Sequence, residues 1–305
     1  MARVACIGEC MLELSGADNR AMTLSYGGDT LNTAVYLARL GVQVDYVTAL
    51  GDDPYSDWMI AQWREEGVGT EMVARVANRV PGLYAIKTDD AGERRFFYWR
   101  DQAPVRDLLA LPESDSLTER LSDYDWIYLT GVTLSLYAPA QQEQLFTLLD
   151  ALRERGCKIM FDSNYRPRGW PGAEAARAVF SEMLTRTDLA APTLDDDRQV
   201  FGDADAAACA DRLHATGVDE AVVKMDAAGC LISTDSIREK VATVEQPNPV
   251  DTTGAGDSFN AGYLAARLTG AGPVAAARSA HRLAGAVIMH PGAVMPREAM
   301  PGGEA

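Results

Sequence analysis

The sequence predicts an α/β fold in which a central, mostly parallel β-sheet lies between helices and carries a small β lid. Three observations support this fold class. Short β-branched runs alternate with amphipathic helical patterns, one segment interrupts the alternation with two adjacent strand patterns, and the strand patterns stop at Asp251. Strands that alternate with helices form parallel sheets covered on both faces. The 305 residues, 47% of them apolar, suffice for one domain over residues 1–305 with a sizeable core.

The main sheet and its helices follow from hydrophobic periodicity. Leu31, Val35 and Leu37 recur at helical spacing behind Asp29, which can cap the first helix. Pro54 suits the first turn of the second helix. The predicted strands are Arg3–Gly8, Val42–Leu50, Trp126–Thr130, Lys158–Asp162, Leu189–Pro192 and Glu220–Met225. The predicted helices are Asp29–Leu40, Pro54–Glu66, Pro139–Arg155, Ala173–Thr185, Ala255–Leu268 and Pro273–Met289.

The lid is predicted where the alternation breaks. Leu83–Thr88 and Arg94–Arg100 are strand patterns joined by a turn at residues 89–93. With Glu13–Ser25 and Glu71–Val76 they could form a small sheet, a lid built from about 10–27 and 70–105. Over the carboxyl ends of the parallel strands, it could close on a ligand. A plain edge hairpin explains the pattern equally well. A lid with an exposed face could also pair with a second copy, so a homo-oligomer is a hypothesis.

Charge and composition exclude several classes of function. The formal net charge of -16 disfavours a nucleic-acid surface, which needs a basic stripe. No apolar run approaches the ~20 residues of a membrane span, and the apolar part of the N-terminus is too short for a signal peptide. The five cysteines form no CxxC pair, which favours buried free thiols. We therefore expect a cytoplasmic protein without nucleic-acid or membrane partners.

A glycine loop before the penultimate predicted helix carries the strongest chemical signal. It has the sequence DTTGAGD, from Asp251 to Asp257. Helix starts offer unpaired N–H groups and partial positive charge. Gly254 and Gly256, with Ala255 between them, would let the backbone approach a transferring phosphoryl group. Asp257 could accept a proton from a substrate hydroxyl, and Asp251 and Thr253 could shape the loop or face a cation. A capped helix with two turn glycines is an equally good interpretation.

A second glycine cluster identifies the family that the sequence resembles. GGDTLNTAVYLARLG, from Gly27, and DTTGAGDSFNAGY, from Asp251, resemble the two signatures of the ribokinase-like (PfkB-type) carbohydrate kinases. The resemblance extends from Ile7 to Glu298. It implies a β lid and magnesium-assisted transfer of the ATP γ-phosphate to a sugar hydroxyl, with Asp257 as base and the Gly254–Gly256 backbone as anion hole. Neither a Walker loop nor a GxGxxG before the first helix is present, which disfavours P-loop NTPases and dinucleotide binders.

The resemblance also implies a nucleotide site. The strand and turn Val222–Gly229 would hold the phosphates, with Lys224, Asp226 and Gly229 as ligands and Asn164 and Arg166 nearby; a buried, paired lysine is the alternative for Lys224. Many relatives carry Asn-x-x-Glu to organise magnesium, where this chain has TLDD, ending at Asp196. Asp196 could keep that role through water, or belong to a solvated acidic turn. A potassium site near Asp251 and Thr253 is implied as well.

The lid pattern points to an anionic sugar. Alternate strand residues share a face, so Phe96, Tyr98 and Arg100 would point together. Tyr98 could cover a sugar while Arg100 clamps a carboxylate, a charge-assisted contact that contributes roughly 1.5–3 kcal/mol. Arg166 follows a predicted strand, where ligand-binding loops of α/β sheets lie.

A closer resemblance is to the 2-keto-3-deoxygluconate kinases. Three stretches carry it: the predicted lid strands, GECMLELS and FDSNYRPRGW. That subfamily phosphorylates 2-dehydro-3-deoxy-D-gluconate at its 6-position. The resemblance implies substrate binding by Gly28, Asp29, Asn32, Tyr84, Tyr98, Arg100 and Arg166, together with Asp257. A kinase for a neutral ketose such as fructose is the main alternative. A non-catalytic sugar-acid sensor and a nucleoside kinase are further ones.

Overall fold

The computed structural model describes residues 2–18, 21–88, 94–243 and 246–302. The strands are β1 Arg3–Ile7, β2 Met11–Asp18, β3 Ala21–Gly27, β4 Gln43–Gly51, β5 Val73–Val76, β6 Leu83–Thr88, β7 Arg94–Trp99, β8 Trp126–Thr130, β9 Lys158–Asp162, β10 Leu189–Ala190, β11 Glu220–Lys224, β12 Cys230–Ser233 and β13 Arg238–Val241. The helices are α1 Asp29–Arg39, α2 Pro54–Glu65, α3 Leu117–Arg120, α4 Gly131–Leu136, α5 Pro139–Arg153, α6 Ala173–Leu184, α7 Leu194–Phe201, α8 Ala206–Ala215, α9 Ala255–Leu268 and α10 Pro273–Val287.

The larger sheet has nine strands in the order β13-β12-β11-β10-β9-β8-β1-β4-β5. From β11 to β5 neighbouring strands run parallel, whereas β12 and β13 add an antiparallel edge. The predicted mostly parallel sheet is confirmed. The antiparallel edge was missed because β12 has only four residues and β13, REKV, is largely charged, so neither shows a β-branched run.

Helices cover both faces of this sheet because side chains alternate along each strand. On β8, Ile127 and Leu129 face a cluster that includes Phe161 and residues of α4, α5, α6 and α8. Tyr128 faces the opposite cluster, built with α1, α2, α9 and α10. All three β8 side chains are fully buried, so the central strands fix their carboxyl ends rigidly. The five cysteines are free and buried, as predicted.

The smaller sheet has the order β3-β2-β6-β7 and forms the lid. β2 pairs antiparallel with β3 and parallel with β6, and β6 pairs antiparallel with β7. The predicted turn at 89–93 lies outside the described residues. One face of the lid exposes Leu24, Phe97 and Trp99, which are 37%, 48% and 61% accessible. It stays a prediction that a second copy covers this face.

The assignment of Glu71–Val76 to the lid was wrong. Val73–Val76 pairs in parallel with Thr48–Gly51 of β4 and forms the edge of the larger sheet. It follows α2, so β4, α2 and β5 make a strand-helix-strand unit, whose strands run parallel. Short strand patterns do not by themselves tell one sheet from another. None of the helices in the described part of the chain has the length and apolar character needed to cross a membrane.

Candidate active site

Predicted site residues and several of their charged neighbours lie at the carboxyl edge of the larger sheet. Glu9 follows β1, Asp162 ends β9, and Lys224 ends β11. The N-termini of α1 and α9 bring Asp29 and Asp257 to the same edge, where the hydrogen bonds described below connect them. This edge is where open α/β sheets bind ligands.

The glycine loop forms the start of α9. Gly254 is the N-cap with φ +76, a left-handed conformation that glycine adopts readily. A Cβ at this position would lie 2.6 Å from the carbonyl oxygen of Ala293, so both conformation and space demand glycine. Ala255 and Gly256 begin the helix, whose first N–H groups have no intrahelical acceptor. The loop therefore has the geometry of an anion-binding helix start.

Asp257 lies in the first turn of α9 and is held by α1. The Asn32 amide donates to its Oδ2 at 2.8 Å, and the Thr33 hydroxyl donates to its backbone carbonyl at 3.2 Å. Burial raises the pKa of Asp257 to about 7, and the negative charge of Asp29 adds to the increase. The Asn32 bond and Lys224 oppose it. A carboxyl group with such a pKa exchanges a proton readily near neutral pH.

Asp29 is a fixed acceptor rather than a helix cap. The N-cap of α1 is Gly28, where a Cβ would lie 2.1 Å from the Glu9 carbonyl oxygen. The Asp29 Oδ2 accepts from the Thr130 hydroxyl at 2.6 Å and from the Asn164 amide at 2.7 Å. The predicted cap was therefore wrong, because the glycine before Asp29 takes that position. Asn164, whose amide donates to Asp29, has a backbone φ of +32, in the left-handed region.

Lys224 is buried and paired. Its Nζ lies 2.6 Å from Asp162 Oδ2 and 3.2 Å from the Asn260 Oδ1. The Asn260 amide also donates to Asp162 Oδ2 at 2.7 Å and to the Tyr128 hydroxyl at 3.0 Å. The Nζ would lie only 3.7 Å from a Cβ on Gly256. Lys224 is thus a buried, paired lysine directly behind the glycine loop, and its role as a phosphate ligand stays a prediction.

The lid presents an aromatic row and the acidic side chain of Glu13. Tyr84 donates its hydroxyl hydrogen to Glu13, and its ring lies 5.9 Å from that of Tyr98. Phe96 stacks beside Tyr98 at 6.4 Å. Tyr98 is 44% exposed, so it remains available to cover a ligand.

Arg100 follows the last residue of β7 and forms an ion pair with Glu9. Arg106 donates its Nε hydrogen to the Arg100 carbonyl oxygen at 3.0 Å. Burial raises the pKa of Glu9, whereas the charges of Arg100 and Arg106 oppose that increase.

Arg166 and Asp196 form an ion pair that is partly exposed. The Arg166 side chain is 61% exposed, and its Nη1 lies 3.4 Å from Asp196 Oδ2. Burial raises the pKa of Asp196 to about 6 although Arg166 lowers it. Asp162 and Lys224 also influence this pKa, so Asp196 faces the same cluster of charges.

Two further loops contain residues that the sequence assigns to the nucleotide and potassium sites. Asp226 and Gly229 have φ +47 and +91 in the turn between β11 and β12, and the Met225 N–H donates to the Gly229 carbonyl at 2.8 Å. Asp251 accepts from the N–H of Thr253 and from that of Gly292, both at 2.8 Å. These residues hold turns at the edge where Lys224 ends its strand.

A family model described as the pfkB family of carbohydrate kinases matches residues 1–300. The chain belongs to this family. It is similar to a 2-dehydro-3-deoxygluconokinase from Dickeya dadantii, 45% identical over 308 residues and 98% of each chain. The same description applies to an Escherichia coli K12 relative, 44% identical over 98% of this chain and 99% of its own. Ribokinase from Thermotoga maritima shares the fold, with a TM-score of 0.75 at 21% identity over 99% of this chain and 96% of that one.

The kinase brings most of the predicted residues to one cleft. Asn32 contacts the Asp257 carboxylate, and Asn164 contacts Asp29. Sequence reasoning missed four side chains there: Glu9, Glu13, Asp162 and Asn260. Two of them carried a signal. Asp162 ends a strand pattern, and Asn260 lies one helical turn after Asp257. Glu9 and Glu13 could be recognised only once the lid strands were placed.

Proposed function

We propose that this carbohydrate kinase transfers the terminal phosphoryl group of ATP to the 6-hydroxyl of 2-dehydro-3-deoxy-D-gluconate. The observation that carries the proposal is Asp257, a carboxylate with a pKa of about 7 in the first turn of α9, directly behind the glycine N-cap. A base and an anion-binding backbone thus lie within one helical turn. A binding protein without catalysis has no use for that pair.

Asp257 would act as the general base. As the 6-oxygen forms its bond to the γ-phosphorus, the bond from that phosphorus to the bridging oxygen of ADP breaks. The proton of the hydroxyl passes to the Asp257 carboxylate. The N–H groups at the start of α9 stabilise the negative charge on the transferring group. The Asn32 amide, 2.8 Å from Asp257 Oδ2, keeps the carboxylate aimed at the cleft.

The proposed preference for an acid sugar rests on two arginines at the candidate site of a protein whose net charge is negative. Arg100 and Arg166 would contact the substrate carboxylate, with Tyr84 and Tyr98 covering the sugar. The 45% and 44% identical relatives named 2-dehydro-3-deoxygluconokinase support this choice. Asp226 and Gly229 would hold the loop beside the ATP phosphates. Asn164 would act indirectly, by fixing Asp29.

Magnesium fits the carboxylate of Asp196. Carboxylates and water are its usual ligands, and the neighbouring Asp162 adds negative charge, which is one cause of the raised pKa of Asp196. We propose that Asp196 holds the ion through water. Magnesium would neutralise charge on the ATP phosphates.

We also propose that potassium binds beside Asp251 and Thr253. The Asp251 carboxylate accepts two backbone N–H groups, which fix its oxygens at the loop before Gly254, and hard cations take oxygen ligands of this kind. Replacing potassium with tetramethylammonium at constant ionic strength is expected to lower turnover, because the loop before Gly254 would lose a stabilising ligand. Sodium serves as a control for cation size. Equal rates in all three salts would contradict the potassium proposal.

The substrate assignment is tested by an ADP-release assay with Mg-ATP. The panel holds 2-dehydro-3-deoxygluconate, its analogue with the carboxylate reduced to a hydroxymethyl group, fructose, ribose and adenosine. We expect strong turnover on the acid alone. In Arg100→Ala the KM for the acid should rise at least tenfold, as expected for a lost charge-assisted contact of roughly 1.5–3 kcal/mol.

Other outcomes would select the alternatives. Equal use of the reduced analogue, or turnover on fructose, would indicate a kinase for neutral sugars and leave the role of Asp257 intact. Turnover on adenosine would indicate a nucleoside kinase. Binding of the acid without ADP release would indicate a sensor.

A further inference from the structure

Glu9 is a buried carboxylate that the phosphoryl-transfer chemistry does not use. It lies in the loop after the central strand β1, and its side chain is 3% exposed. A buried charge is retained only where a partner compensates it. Its partner is Arg100, whose side chain is 21% exposed. The pair thus has one end fixed in the core and one end available to a ligand.

The surroundings of Glu9 are built for close contact. A Cβ on Gly82 would lie 2.8 Å from Glu9 Oε1 and 3.2 Å from the Cβ of Arg100. A Cβ on Gly28 would lie 2.1 Å from the Glu9 carbonyl oxygen. Two glycines, one from the lid segment and one from the start of α1, therefore leave space for this loop and its ion pair. The packing fixes where the Arg100 guanidinium can lie.

A second arginine lies beside this ion pair, and Arg100 keeps donors for a ligand. Arg106 lies close enough to influence Glu9 and donates to the Arg100 carbonyl oxygen at 3.0 Å. A guanidinium has five N–H donors, so a contact with Glu9 does not exhaust those of Arg100.

We propose that Glu9 is the positioning residue that orients Arg100 for the carboxylate of the sugar substrate. This inference rests on the proposed function, in which Arg100 binds an acid sugar. Glu9 itself does not contact the substrate. It acts by holding the guanidinium in the orientation that a second carboxylate can share, so that little ordering remains to be done on binding.

The proposal predicts that Glu9→Gln changes the KM for the acid in the direction opposite to that expected from simple competition between charges. If Glu9 merely competed for Arg100, Glu9→Gln would remove a negative charge and lower the KM for the acid. If Glu9 orients Arg100, Glu9→Gln raises that KM, by about tenfold for the loss of one well-aligned charge-assisted contact. The kcat should change by less than about threefold, and the KM for ATP should stay the same. Glu9→Asp keeps the charge but retracts it by one methylene, so it should also raise the KM.

The experiment measures KM and kcat for 2-dehydro-3-deoxygluconate and its reduced, uncharged analogue in each variant. Glu220→Gln is the matched control. Glu220 also pairs with an arginine, Arg267, at 2.8 Å, but at the start of β11, the opposite edge of the sheet. Glu220→Gln should lower thermal stability about as much as Glu9→Gln does, without changing the KM for the acid. In an Arg100→Ala background, Glu9→Gln should have no further effect on the acid, because the group it orients is gone.

The outcomes separate the two proposals. A wild-type enzyme that does not prefer the acid would overturn the substrate assignment and, with it, the role of Glu9. A wild-type enzyme that prefers the acid, combined with an unchanged or lowered KM in Glu9→Gln, would overturn the role of Glu9 alone. An equal KM increase for the acid and for the uncharged analogue would indicate a structural role and also reject the proposal.

Discussion

Asp257→Asn is expected to lower kcat by roughly 10²–10⁴-fold, the usual contribution of a positioned general base. Asparagine has nearly the same shape and can still accept the hydrogen bond from Asn32, now 2.8 Å from Asp257 Oδ2. It cannot take the proton of the attacking hydroxyl. The KM values for sugar and ATP should therefore change little. Steady-state kinetics with the ADP-release assay measures both constants.

Stability provides the control for this variant. Because the folded-state pKa of Asp257 is raised to about 7, the folded protein binds this proton more tightly than the unfolded chain does. Stability contributed by this group is therefore lost as pH rises from about 4 to about 7. Asp257→Asn removes that loss, so its melting temperature at pH 8 should equal or exceed that of the wild type. A lower melting temperature would contradict the raised pKa of Asp257. A kcat within threefold of the wild type would contradict its role as general base.

The rate of the wild-type enzyme should follow the same ionisation. In the proposed mechanism the carboxylate form is the base, so kcat/KM should fall as pH drops through about 7. This acid limb should disappear from the residual activity of Asp257→Asn. The exposed, ion-paired Asp150 on α5 offers a comparison, since Asp150→Asn should leave both the rate and its pH profile unchanged.

The main sheet could be predicted because its strands are buried on both faces. β8 and β9 have the predicted bounds, Trp126–Thr130 and Lys158–Asp162. Their apolar runs are continuous, as burial on both sides requires. The strand Val73–Val76 was misplaced because only partly buried side chains mark it. Such a strand carries no periodicity that distinguishes the lid from an edge of the main sheet.

The candidate site could be predicted where backbone geometry dictates the residue. Gly254 and Asp257 belong to a loop that must adopt a left-handed turn and start a helix, and both conditions leave a local signature. Glu9 and Arg100, which form an ion pair, lie 91 positions apart in the sequence. No local sequence rule links residues at that separation. Asp29 was misread as a cap for a related reason. Its partners are Thr130, at the end of β8, and Asn164, in the loop after β9, and only the fold brings them near.

Lys224→Met is expected to lower the free energy of unfolding by about 3–5 kcal/mol, the usual effect of removing one partner of a buried ion pair. Methionine fills much of the same volume, but it leaves the Asp162 carboxylate, 5% exposed, with only the Asn260 amide and a backbone N–H as donors among the described contacts. Urea denaturation measures the change. The exposed Lys158 at the start of β9 provides the control, because Lys158→Met removes the same charge without exposing a buried partner.

The double variant Lys224→Met with Asp162→Asn distinguishes pairing from phosphate binding. If Lys224 serves chiefly to neutralise Asp162, removing both charges should restore much of the lost stability, because no uncompensated charge stays buried. If it serves chiefly as a phosphate ligand, the single variant should raise the KM for ATP while the unfolding free energy stays near that of the wild type. The lysine also lowers the pKa of Asp257. Its loss should therefore move the acid limb of the rate profile to higher pH, which ties the stability of the buried pair to the protonation of Asp257.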